Sequence, residues 1–244
     1  MKLNMVAASN RQESAARAAA LEGALRTVGT LFGGLLGGLL LGSLTFRLIP
    51  GSSVENVRLG HAAVAAVPAL AGFLAGGAAW GVQMGRIVGA TAPSRRMAVA
   101  GMLGFGPVTI VLALGLGVAE PIIVTSLGPL PIHRIFTLLF VPSAFLIAAV
   151  SAFAAGIGLG DAALARSLFW RVGAVAGLTF LLINLLMEAL GWVVGAPGAA
   201  ARATMVVVMS LGNLGAALSG GSVLGYLLAM RHAPARQAAP ATQP

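Results

Sequence analysis

The chain has 244 residues, 58% of them apolar and only 9% charged, with a mean hydropathy of +0.96. Soluble domains carry roughly a quarter charged residues, so this composition excludes one and points to an all-α, polytopic integral membrane protein. The formal charge of +9 would suit a nucleic-acid binder, but the arginines stand singly or in twos and threes at segment ends. They read as topology determinants, and no nucleic-acid partner is expected.

There is no cysteine, which removes disulfides, thiolate metal sites and cysteine nucleophiles. The 34 glycines suit a tightly packed helical bundle, because small residues let membrane helices approach closely.

Residues 1–26 are polar and alanine-rich, with charges at Lys2, Arg11, Glu13, Arg17, Glu22 and Arg26. No short apolar core or cleavage site follows, so this is not a signal peptide. Residues 1–10 read as disordered. From about Asn10 the run RQESAARAAALEGALR favours helix. The segment is expected to be a partly helical, cytoplasmic extension of the first span, in preference to a docking helix.

Between Arg26 and Arg47 lie twenty uncharged residues, which at helical rise cover ~30 Å, the thickness of a bilayer core. Gly33, Gly34, Gly37, Gly38 and Gly42 fall four apart in two offset rows. They predict a groove where another backbone can pack. Further apolar runs give spans at about 27–46, 61–85, 97–119, 135–160, 172–194 and 203–230.

The breaks between spans carry turn chemistry. Pro50-Gly51 follows the first span, and Thr91-Ala92-Pro93 lies between the second and third. Glu120-Pro121 ends the third and is followed by the apolar connection IIVTSLGPLPIH, which lies in the interface or dips inward. Asp161 to Arg171 reads as a polar linker, and Gly195-Ala196-Pro197-Gly198 closes the fifth span. Pro68, Pro107 and Pro142 are expected to kink their helices. Residues 231–244 read as a disordered tail.

Six spans put both ends on one side. With the N-terminus inside, Lys2 and ten arginines (11, 17, 26, 86, 95, 96, 166, 171, 231, 236) are cytoplasmic, and only Arg47, Arg58, Arg134 and Arg202 lie outside. Eleven against four is a positive-inside bias. Trp170, Trp192 and Tyr226 fall near the two interfaces. One lysine against fourteen arginines, with so much alanine and glycine, points to a bacterial cytoplasmic (inner) membrane. An inverted repeat of two three-span halves has thin support: Pro93-Ser94-Arg95-Arg96-Met97 resembles only loosely Pro197 followed by Arg202-Ala203-Thr204-Met205.

Glu188 is the one acid inside an expected span, and Asn184 lies one turn earlier on the same face. With Asn213 of the last span they could form a polar intramembrane site, Glu188 accepting a proton or cation. The favoured reading is structural: each amide bonds between helices, and Glu188 reaches outer water or Arg202. His61, His133 and His232 have no ligand partner at i+3 or i+4, so no metal or cofactor is expected. The glycine runs lack the strand that a nucleotide-binding loop requires.

No catalytic set is visible, and an enzyme is not expected. The leading expectation is an accessory or structural subunit of a larger membrane complex, with the lipid bilayer and other subunits or self-association as partners. The alternative is a small transporter or channel, or a half-unit that dimerises, with a polar site between spans 5 and 6.

Overall fold

The computed structural model describes residues 2–49, 59–89, 94–126, 132–192 and 199–238. Met1, the connections at 50–58, 90–93, 127–131 and 193–198, and the last residues from 239 lie outside the described residues. The expected interfacial connection before span 4, residues 122–133, is helical at 122–126 and at 132–133, with only 127–131 outside the described residues. The helices are α1 (Lys2–Thr27), α2 (Gly33–Leu48), α3 (Leu59–Val88), α4 (Ser94–Ser126), α5 (Ile132–Gly158), α6 (Ala162–Ala189) and α7 (Ala199–Ala238). A π-helical turn, Val28–Phe32, joins α1 to α2 without a break in the chain direction. The described residues include no strand. Six helical stretches are long and apolar enough to cross a membrane, the first running from Gln12 to Leu48.

Four boundaries differ from the sequence reading. Helix extends back to Lys2 and on to Ala238, so the polar N-terminal segment is a continuation of the first span and packs along α7. α4 passes Pro121 and ends at Ser126. A proline removes only its own N–H bond, and the apolar residues after it carry the helix on. α6 begins at Ala162, so most of the expected polar linker is helical. Arg166 and Arg171 are exposed on its surface.

The turn between α5 and α6 shows how few residues a helix reversal needs. Gly160 has φ +80, a left-handed conformation open to glycine. Its N–H donates to the Ile157 carbonyl at 2.9 Å, and the Asp161 N–H donates to the Gly156 carbonyl at 3.1 Å. That pairing closes a helix C-terminus. Asp161 then caps the next helix at once, its carboxylate accepting from the Leu164 N–H at 2.8 Å.

The spans form a closed ring. α2 packs on α3, α3 on α4, α4 on α5, α5 on α6 and α6 on α7, and α7 returns to α1. Small residues set these contacts. A Cβ on Gly34 would lie 2.7 Å from Gly76 Cα, and one on Gly101 would lie 2.9 Å from Gly81 Cα. A Cβ on Gly23 would lie 2.9 Å from Gly225 Cα. The backbones therefore touch, which lets dispersion and weak Cα–H contacts hold helices together where water supplies no drive. Trp80, Phe73, Phe180, Met84, Met97, Leu168, Leu224 and Leu228 fill the interior. Leu36, Leu40, Leu44, Leu178, Leu182 and Leu186 point outward, as lipid-facing positions require.

Of the glycines singled out in span 1, Gly34 and Gly38 meet α3 and Gly42 is buried. Gly33 and Gly37 have nothing within 4 Å of an added Cβ. One row is a contact and the other faces outward.

Candidate functional site

The site is assembled around the point where α1 gives way to α2. Arg26 donates to the Gln83 carbonyl of α3 at 2.5 Å and pairs with Glu22 on its own helix. One residue on, Thr27 Oγ1 accepts the Trp80 indole N–H at 3.1 Å. Thr27 also packs on Gly221 of α7. These contacts pin the first span to α3 and α7 near the end of the bundle where both termini lie.

Beyond that junction lies a cavity of about 80 Å³ between the spans, about half open to the outside. Every span contributes to its wall: Leu31 and Leu35, Trp80, Phe105, Ala148 and Ser151, Val172, and Asn213 with Ala216 are among the lining residues. By the volume of liquid water this is room for about two to three water-sized molecules. Among the described residues the wall is apolar apart from Thr27, Ser151 and Asn213, and none of its side chains is charged.

Two of those polar groups are only partly satisfied. Ser151 is 1% exposed, and its Oγ has no hydrogen-bond partner among the described residues. A buried hydroxyl left this way costs about 1–3 kcal/mol. Asn213 donates from Nδ2 to the Met209 carbonyl at 2.9 Å, which leaves its side-chain oxygen as an acceptor. The hydroxyl of Thr27 already holds Trp80.

The three residues picked from the sequence as a joint polar site occupy three settings. Asn213 lines the cavity. Asn184 is 4% exposed, donates to the Phe180 carbonyl at 2.8 Å and packs against Gly212 of α7. Glu188 accepts from Arg134 of α5 through Nη2 at 2.7 Å and Nε at 3.0 Å. It is thus paired with Arg134, which sequence reasoning did not single out, and the side chain of the expected Arg202 lies outside the described residues. Ser151 and Thr27 were not singled out by sequence reasoning. The available signal for Ser151 was a lone hydroxyl in the apolar run from Leu146 to Gly160.

The ends of the ring are held by charge. At the termini end, Arg231 of α7 donates to Asp161 at 3.1 Å. The Asp161 carboxyl is held below its ordinary range, first by the Leu164 N–H and further by Arg231, with partial burial opposing. At the far end Arg134 joins α5 to α6. No protein-family model matches the chain, and no curated protein or solved structure matches it either.

Proposed function

We propose that this multi-pass membrane protein is a small non-catalytic carrier or channel unit whose six spans line one solute site. The observation that carries this reading is the cavity between the spans, lined by residues of every span and, among the described residues, by no charged side chain. Sites built at the centre of a bundle between facing helices are the usual place for a transported solute. Among the described residues the wall offers hydroxyl and amide groups and no titratable side chain, which suits binding better than acid–base chemistry. The exposed pairs Arg134–Glu188 and Arg231–Asp161 sit at opposite ends. The positive-inside distribution assigns the termini end to the cytoplasm.

Reconstitution into liposomes tests this reading. Stopped-flow light scattering with small neutral solutes should show protein-dependent permeation, and filling the cavity with Ala148→Phe should remove it. Permeation equal to empty liposomes for every solute would overturn the proposal.

A second reading, an accessory subunit of a larger complex, is favoured by one surface. Gly33 and Gly37 are open, and Leu36, Leu40 and Leu44 beside them are exposed. That face of α2 would accept a partner helix. Native mass measurement in mild detergent separates the readings: stoichiometric foreign subunits support this one, and a lone monomer or homodimer removes it.

A further inference from the structure

We propose that the cavity opens sideways between α2 and α7 and takes the end of one acyl chain from the bilayer. Helix packing locates the opening. Each neighbouring pair from α2 and α3 round to α6 and α7 is in close contact, and α7 closes the ring on α1 and the π turn. Among the described residues α7 makes no comparable contact with α2. Its contact with the first span runs through Gly221 and Gly225, which meet Ala19, Gly23 and Thr27. The cavity begins at that contact, where Thr27 and Gly221 line it.

Exposure along the two helices follows the same opening. On the first span Leu31 is 8% exposed, Leu35 is half-buried and Leu39, the next in the row, is 48% exposed. On α7 Leu224 is 1% exposed, whereas Ala217 and Asn213 are half-buried. Cover is lost on both sides in the direction away from the termini, as it is when two helices part after a shared contact.

The surroundings and the wall select the occupant. Both helices belong to spans at this depth, Gln12–Leu48 and Val207–His232, so the opening faces hydrocarbon. A volume of about 80 Å³ holds a few chain carbons and excludes a partner helix, which is about 10–12 Å across. Water finds little to hold it, because a buried water wants about two to four polar partners. Thr27 Oγ1 is engaged by the Trp80 indole, and the Asn213 amide nitrogen by the Met209 carbonyl. Among the described residues no charged side chain lines the wall, so a headgroup stays outside and only the chain enters. A chain end also restores the dispersion contacts that an empty cavity forfeits. This goes beyond the carrier reading: the chain occupies the cavity at rest, and a solute crossing there must displace it.

Trp80 lines the cavity and is buried, whereas Trp170 and Trp192 are exposed. In a Trp170→Phe/Trp192→Phe variant of the full chain, Trp80 is the one remaining indole. The experiment places this protein in nanodiscs in which a rising fraction of the phosphatidylcholine carries mid-chain bromines, and reads quenching of Trp80. Acrylamide serves as the water-borne quencher. The expected result is a loss of Trp80 emission in proportion to the brominated fraction, as exchange at one site requires, with little loss to acrylamide. Ala217→Phe, which fills the cavity from α7, should abolish the loss to brominated lipid. Should that variant fail to fold, Ala217→Leu takes its place and should reduce the loss.

Trp80 emission that ignores the brominated lipid overturns the proposal, because no chain then reaches the cavity. Strong quenching by acrylamide means a water-filled cavity and overturns it as well. Lipid quenching that survives filling at Ala217 means that chains approach Trp80 from elsewhere, which removes the opening between α2 and α7. Quenching of the expected kind without solute permeation in liposomes keeps the chain site and removes the carrier. Permeation without quenching does the reverse.

Discussion

The π turn at Val28–Phe32 sets the phase between two rows of small residues on one continuous helix, and single-residue deletions test that directly. Ala19 and Gly23 pack on α7, whereas Gly34 and Gly38 pack on α3. Each α-helical residue turns the chain by about 100°. A π turn accommodates one extra residue over nearly the same rotation as an α turn, so deleting Gly29 should convert 28–32 to α-helix and leave both rows where they are. Gly29 is exposed with nothing near an added Cβ, so no packing is lost. The expected change is within about 1 kcal/mol, the size of a glycine's helix penalty. Deleting Gly37, in regular α-helix, rotates everything after it by about 100° and brings Leu39 to the place of Gly38. A bare Cβ there already lies 2.7 Å from the Ala69 carbonyl oxygen and closer still to the Phe73 ring. A whole leucine exceeds the one-or-two-methylene overpacking that costs about 1–3 kcal/mol, so the loss should reach at least about 3 kcal/mol. Thermal unfolding in detergent, followed by size-exclusion recovery of the folded peak, reads both. Equal losses for the two deletions would refute the phasing argument.

Neighbouring glycines give a second contrast: Gly33→Ala should be neutral or stabilising by up to about 1 kcal/mol, while Gly34→Ala should destabilise by about 1–2 kcal/mol because its methyl meets the Gly76 backbone. The same thermal assay checks this, and identical behaviour would mean that α2 does not pack on α3 through this row. Asp161 has a lowered folded pKa, so its contribution is complete above the ordinary carboxylate pKa of about 3.9 and is lost as pH falls through the lower folded value. Melting temperature against pH should therefore lose part of its acid limb in Asp161→Asn, which keeps the cap, and Asp161→Ala should lose a further ~0.5–2 kcal/mol at every pH. For Glu188, a double-mutant cycle with Arg134 should give a coupling under about 1 kcal/mol, and Glu188→Gln should leave solute permeation intact. A permeation loss would return Glu188 to the working site.

The six spans were legible because apolar runs of about twenty residues bounded by arginines have one economical reading in a bilayer. The limits of α4 and α6 were not. Pro121 and the charges of Arg166 and Arg171 resemble breaks, yet a helix tolerates exposed arginines and an isolated proline. The glycine spacing announced close packing but gave two equivalent rows, 33/37 and 34/38/42. Choosing between them depends on the phase at the π turn and on where Gly72 and Gly76 lie across the interface, which no local pattern encodes. Glu188 stood out correctly as an acid in an apolar helix, but its partner is 54 residues away on α5. The cavity was illegible for the same reason: its wall is drawn from six spans and built mostly of residues that read locally as ordinary apolar helix.

Where the bundle can open follows from where it is clamped. α6 is tied at its start to α7 through Asp161–Arg231 and near its end to α5 through Glu188–Arg134. Phe145, Phe169 and Trp170 add ring contacts between α5 and α6. α1 is held to α3 by Arg26 and Thr27 and to α7 by the Gly23 contact. α2 has small-residue packing on α3 and begins at the π turn, whose hydrogen bonding is less favourable than that of an α-helix. Motion that admits a solute without breaking the clamps therefore falls to α2, swinging about residues 28–32 against α3. Local opening of this kind shows in amide exchange. Backbone amides from Val28 to Leu36 should exchange well before those from Val172 to Phe180 in the full protein in nanodiscs. Equal protection of the two stretches would place the movement elsewhere, because α2 would then be held as firmly as the doubly clamped helix.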